Sequence, residues 1–234
     1  MATQDATEVQ LGVLNRAEGS CRYTRGKTMV VAAVFGPVEA LIKNEQTDRA
    51  TLVVQVRPAQ GQSLVNDRDT ELFIQATFES AVVLSMHPRT QINIIVQVVN
   101  DDGGLLAAMI NATSCALVDA GIPMHFVPAA SSSLVSDGSP AVLEPTAAQE
   151  TKKDDQNAVL TFVFGSDAPS ASSSSASSSA ASLSLLSSFT RGNSSFLEEG
   201  LFSALSACRS HAQLSVLPSF RSSFESRAAF YQRS

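Results

Sequence analysis

The run Asp101-Asp102-Gly103-Gly104-Leu105-Leu106-Ala107-Ala108-Met109-Ile110-Asn111-Ala112-Thr113-Ser114-Cys115-Ala116-Leu117-Val118-Asp119-Ala120-Gly121-Ile122-Pro123 decides how the rest of the chain is arranged. Two glycines open it, and residues 105–120 then read as a helix that is apolar nearly all round. A helix with one apolar stripe lies on a surface, whereas one apolar on every side is buried on most sides. Gly121 stands where a left-handed C-cap belongs, and Pro123 just beyond it stops the helix. The other elements must therefore form layers that cover this one.

Toward the N-terminus, residues 92–99 form an apolar strand, and a helix is expected over 69–86. There Leu72, Phe73, Ala76, Val83 and Met86 recur at helical spacing until His87-Pro88 ends the run. Before it, residues 20–25, 28–35, 39–42 and 50–56 are rich in Val and Ala and broken by turn residues such as Gly36-Pro37, the pattern of a β-meander. Residues 1–10 are expected to be a flexible N-terminus. Toward the C-terminus, strands are expected at 127–135, 141–143 and 158–164. The order is ββββ-α-β-α-βββ followed by a C-terminal helix over 196–214 that resumes beyond Pro218 to 231. This is an α/β (α+β) class, a mixed sheet with helices packed on it, in one domain over 11–234. Within that domain, the nineteen residues 170–188 contain twelve Ser and four Ala. Such a stretch has little to bury, and a disordered insert is expected at about 168–188.

Composition narrows the function. Sixteen basic against 22 acidic residues give a net charge of -6, so the chain has no long-range attraction for a polyanion and could touch one only through a local patch. Cys21, Cys115 and Cys208 have neither CxxC nor Cys/His spacing, which suggests no zinc site and no disulfide framework. No cofactor and no metal are expected. No apolar run approaches the roughly 20 residues that span a bilayer, so no membrane partner is expected.

Three blocks in order resemble the RNase PH family. The first is Leu14-Asn15-Arg16-Ala17-Glu18-Gly19-Ser20 with Arg25-Gly26-Lys27-Thr28 and Val34-Phe35-Gly36-Pro37. The second is His87-Pro88-Arg89-Thr90 leading to Asp102-Gly103-Gly104, and the third runs from Asn111-Ala112 through Asp119-Ala120-Gly121-Ile122-Pro123-Met124. Together they cover about residues 11–165. Within the family, Gly104-Leu105-Leu106-Ala107 and Leu143-Glu144-Pro145-Thr146 are similar to the RNase PH-like subunits of the eukaryotic RNA exosome core.

The resemblance implies a chemistry and shows what is missing from it. Active members degrade RNA from its 3′ end with inorganic phosphate as nucleophile, which requires cationic and hydroxyl donors beside a helix N-terminus. The family supplies them after Asp-Gly-Gly. Here the site is degenerate: Gly103 and Gly104 are kept, but Leu105, Leu106 and Ala107 follow, and no Lys or Arg occurs between Arg89 and Lys152. Where active members carry an Asp pair, this chain has Glu144 and Glu150 at the same spacing, with Asn157 at a further acidic position. These glutamates are expected to be an exposed, vestigial pair, and the resemblance leaves open a 3′-5′ exoribonuclease, phosphorolytic or metal-dependent, that uses them.

By the same resemblance, Arg57, Arg68, Arg22, Arg25 and Lys27 are candidates for contact with single-stranded RNA, each a solvated charge on its own. His87, His125 and His211 form no triad by spacing and are expected to be structural. The implied role is a non-catalytic, RNA-guiding subunit supporting rRNA processing and mRNA decay. It would be paired with other RNase PH-like subunits in a six-membered ring beneath cap subunits, in the nucleus (nucleolus) and cytoplasm.

Overall fold

A computed structural model of the chain describes residues 7–61, 65–136, 141–150, 157–166, 183–192 and 198–231. Its centre is helix α2 (Leu105–Asp119), in which residues 107–117 are all buried. The polar groups in this stretch are satisfied locally or across to β6 (Pro128–Ser136). Thr113 donates to the Met109 carbonyl at 2.8 Å, Ser114 donates to the Pro128 carbonyl at 2.7 Å, and Asn111 exchanges hydrogen bonds with the Ala130 backbone at 3.0 and 2.8 Å. A buried polar group costs least when bonded in this way.

Two sheets enclose the helix. The first has five strands, β1 (Thr7–Leu11), β2 (Gly19–Arg25), β3 (Thr28–Glu39), β5 (Thr90–Asn100) and β4 (Thr51–Arg57), in that spatial order. It is mixed: β4 pairs parallel to β5 across helix α1 (Val65–Ala81), and the other pairings are antiparallel. Period-two burial marks β5, where Ile92, Ile94, Val96 and Val98 are buried and the residues between them are not. The second sheet has the order β7 (Val142–Leu143), β6, β8 (Asn157–Ser166), β9 (Leu183–Gly192). One face of β6 meets α2 through Ala130. The other meets α4 (Glu198–His211), where Ser131 lies 3.2 Å from His211. A short helix α3 (Ala147–Glu150) lies between β7 and β8 in the chain, and α5 (Leu217–Tyr231) packs against β1.

The mixed sheet and the buried helix match the sequence reading; several boundaries do not. Residues 7–10 are not a flexible terminus, because Val9 and Leu11 pack on the core while β1 pairs with β2 from Thr7↔Arg25 to Leu11↔Cys21. Residues 39–42 make no strand of their own; β3 runs on to Glu39, and a turn follows. The helix expected over 69–86 begins earlier and ends at Ala81. Beyond it, Val82 bridges to Met124 and the Val83 N–H donates to the Pro123 carbonyl at 3.0 Å, which interrupts the helix before a single 3-10 turn at Leu84–Met86.

The serine-rich insert is also shorter than expected. Residues 167–182 lie outside the described residues, but 183–188 belong to β9, which pairs with β8. Twelve serines conceal that every leucine of this stretch lies in its last six residues; Leu183 is buried and Leu186 packs on the main core. Pro218 breaks nothing either. It lies in the first turn of α5, where proline is tolerated, just after a π-type turn at Ala212–Val216.

The described strand yields a direct test. Leu183→Ala is expected to cost about 2–5 kcal/mol by denaturant unfolding, the range for truncating a buried leucine. Leu185→Ala, at a side chain 47 % exposed, is expected to cost under about 1 kcal/mol. Equal, small effects would return the segment to a loop.

Candidate functional site

Four segments converge at the N-terminus of α2. The side chains of β2 alternate, so Arg25 follows Cys21 and Tyr23 onto the buried face and reaches the Asp-Gly-Gly turn. Thr28 ties β3 to the same turn: its hydroxyl donates to the Gly103 carbonyl at 3.0 Å and accepts the Asp102 N–H at 3.0 Å. Both glycines are required. A Cβ on Gly103 (φ 96°) would strike the Pro145 carbonyl, and one on Gly104 (φ 59°) would strike the Arg25 guanidinium and, at 2.7 Å, the Ser132 hydroxyl. The Ala147 N–H donates to the Asp102 carbonyl at 2.8 Å, which docks the segment carrying both glutamates onto the turn.

The charges at this junction are spent on each other. Arg25 Nη1 lies 2.7 Å from Glu144 Oε2, with side chains 6 % and 15 % exposed. Glu144 adopts a left-handed conformation (φ 55°), and its other oxygen, Oε1, lies 3.3 Å from His211 Nδ1. Ser131 Oγ is 3.2 Å from that same nitrogen. A Ser-His-carboxylate triad needs the serine and the acid on opposite ring nitrogens and an accessible serine. Here both meet Nδ1 and Ser131 is buried, so the cluster is structural.

Glu150 Oε1 accepts the Gly104 N–H at 2.7 Å. Burial pushes the Glu150 carboxyl above its ordinary range; the Gly104 N–H, Arg191 and Arg25 oppose the shift, and Asp101 adds to it. Tyr23 is likewise pushed up, chiefly by burial, and stays neutral beside Asn111.

Glu150 borders a cleft of about 520 Å³ between α1, the start of α2 and β9. Leu105, Leu106, Met109 and Phe189 give it an apolar floor, and the Phe189 ring packs on Phe73 with centroids 5.1 Å apart. Asp67, Asp69 and Asp101 join Glu150 on its polar walls, and Arg191 is the one cation among the described lining residues. Among the described residues no His, Cys, Asp and Glu side chains are grouped to hold a metal ion.

Set against the sequence reading, the geometry moves several residues. Leu105 and Leu106 are only partly buried and line the cleft, while Ala107 is buried. Glu144 and Glu150 are not an exposed pair; each is engaged by the α2 junction, because the segment between them is pinned to Asp102. Arg25 is not a solvated charge but a buried partner of Glu144. Arg57 and Lys27 are exposed, and Arg22 is half-buried. Arg68 is exposed and lies 2.8 Å from Glu71, whose other oxygen accepts the Val56 N–H. The Asn157 side chain and Lys152 lie outside the described residues. The sequence reading missed Arg191, Ser132 and the tie from His211 to Glu144, which come from strands and a helix remote in sequence.

The blocks that build this junction match a known family. Residues 6–123 fit the model of the 3′ exoribonuclease family, domain 1. The chain belongs to the RNase PH family. It is 43% identical over 112 residues to a protein named Exosome complex exonuclease RRP46 homolog from Arabidopsis thaliana, covering 48% of this chain and 47% of that one. It is 34% identical over 118 residues to Exosome complex component rrp46 of Schizosaccharomyces pombe, covering 50% and 52%. The chain thus spans about half the length of the curated relatives it matches. In three dimensions it is similar to rice (Oryza sativa) Rrp46, with a TM-score of 0.80 and 28% identity over 95% of this chain and 96% of that one. The resemblance within the family is therefore to the ribosomal-RNA-processing protein 46 type.

The buried pair predicts an asymmetry that denaturant unfolding can check. Glu144→Ala strands the Arg25 guanidinium and is expected to cost about 3–5 kcal/mol. Arg68→Ala, which breaks a pair exposed on the arginine side, is expected to cost under about 1 kcal/mol.

Proposed function

We propose that this chain is a non-catalytic, structural and RNA-guiding subunit of an exosome ring, supporting 3′-5′ processing and decay of RNA that another subunit cleaves. One observation carries the reading. At the helix N-terminus where phosphorolysis needs free donors, the chain presents Leu105, Leu106 and Ala107, and its own carboxylates engage both Arg25 and the Gly104 N–H. Glu144, bound to Arg25 and His211, is poorly placed to act as an acid or metal ligand, which weighs against an exoribonuclease built on Glu144 and Glu150.

Likeness to RRP46-type proteins supports partnership with other RNase PH-like subunits; a six-membered ring beneath cap subunits, working in nucleus, nucleolus and cytoplasm, is part of the same proposal. The surface is consistent with a partner. Ile42 and Leu41 are 93% and 70% exposed on the turn after β3, which backbone bonds from Ala40 to Arg89 and from Arg89 to Gln46 tie to the segment following Met86, itself 62% exposed. Arg57 and Lys27 remain exposed cations able to touch phosphates without reading sequence.

Two measurements test the proposal. Co-expression with an RNase PH-like partner is expected to give a monodisperse heterodimer, and a stable monomer that ignores the partner would contradict it. Within that complex, Arg57→Ala with Lys27→Ala is expected to weaken single-stranded RNA binding about threefold to tenfold and to lower its salt dependence, without changing base preference. Unchanged affinity would remove these residues from the RNA path.

A further inference from the structure

We propose that Glu150 is a built-in anion that occupies the N-terminus of α2 and holds it closed to free phosphate and to phosphate-bearing ligands. The inference rests on the non-catalytic reading of this site and adds how the site is kept shut.

The first observation is the contact itself. Glu150 Oε1 lies 2.7 Å from the amide nitrogen of Gly104, the N-cap of a fifteen-residue helix. The start of such a helix carries unsatisfied N–H groups and a partial positive charge, and it attracts an anion. A carboxylate there takes the position that a phosphate oxygen would take.

The second observation shows that Glu150 leaves the site's donors incompletely used. Ser132 is fully buried, and its hydroxyl has no hydrogen-bond partner. It is aimed at the same place: a Cβ on Gly104 would lie 2.7 Å from Ser132 Oγ, with the Arg25 guanidinium also in contact. An orphaned buried hydroxyl is costly, and its persistence beside a helix N-terminus marks a donor set suited to an anion with more acceptor oxygens than one carboxylate presents.

The third observation explains why the internal carboxylate wins. Glu150 ends the short helix α3, where the Gln149 and Glu150 N–H groups donate to the Thr146 carbonyl at 2.8 and 3.0 Å. The same segment is fastened to Asp102 by the Ala147 N–H. A carboxylate delivered on so short a tether has an effective concentration far above that of free phosphate. Asp69 and Asp101 outnumber Arg191 on the cleft walls and disfavour a second anion, and the Arg25 charge is already balanced by Glu144.

The test is a titration of inorganic phosphate into the full chain at constant ionic strength, read by calorimetry, for the native protein, Glu150→Ala and Glu150→Gln. Glu150→Ala is expected to bind phosphate at least about tenfold more tightly than the native chain, the scale of one favourable charge contact at a helix start. Glu150→Gln, which keeps an acceptor but loses the charge, should fall between them. Adding Ser132→Ala to the Glu150→Ala chain should remove much of the gain. If Glu150→Ala does not fold, Glu150→Gln carries the test alone. Folded variants that bind phosphate no better than the native chain would overturn the proposal, as would a native chain that already binds as tightly as Glu150→Ala. Ring assembly and RNA binding play no part in this readout, so its failure leaves the subunit reading standing, and failure of that reading leaves the phosphate result intact.

Discussion

A helix with no charge before its last residue has to be enclosed, and the enclosure of α2 sets the rest of the structure. Two sheets close on it, and the approach is so tight that a Cβ on Gly19 would strike the Ala116 carbonyl. Both ends of the helix must then be satisfied within the protein. At the C-terminal end the Asp119 carboxylate accepts the Ser20 N–H at 2.9 Å and pairs with Arg227, which fastens α5 to the first sheet. At the N-terminal end, the Asp-Gly-Gly turn brings together β2, β3, β6 and the segment that carries Glu144 and Glu150.

The proposed function rests on the N-terminal solution. In this chain the fold delivers a helix start, a buried arginine and two carboxylates to one place. The charges there are spent on one another. Glu144 neutralises Arg25, Glu150 takes the Gly104 N–H, and leucines stand at the mouth of the helix. The junction is a closed internal network of charges and donors that ties the two sheets together.

Much of the fold was legible because its signals are local. The all-round apolar helix, its glycine stop and the period-two strand β5 can be read from neighbouring residues. β9 was hidden because serine content averaged over 170–188 outweighed three leucines at one end, and β1 because five alternating residues at a terminus carry little pattern. The site was legible only in part. The residues at Leu105 to Ala107 stand beside the glycines in sequence, but the cation-free span between Arg89 and Lys152 reports only on charges local in sequence. Arg25 enters from 78 positions before Gly103, and Arg191 arrives from β9. His211 reaches Glu144 from α4. No spacing rule reports partners joined only by the closing of two sheets.

The most direct test of the account is the release of nucleoside diphosphates from a 3′-tailed RNA by the purified chain, alone and in its heterodimer, with and without inorganic phosphate. The account predicts no phosphate-dependent release above a protein-free control. Phosphate-dependent release that is lost on replacing Glu144 or Glu150 would contradict it.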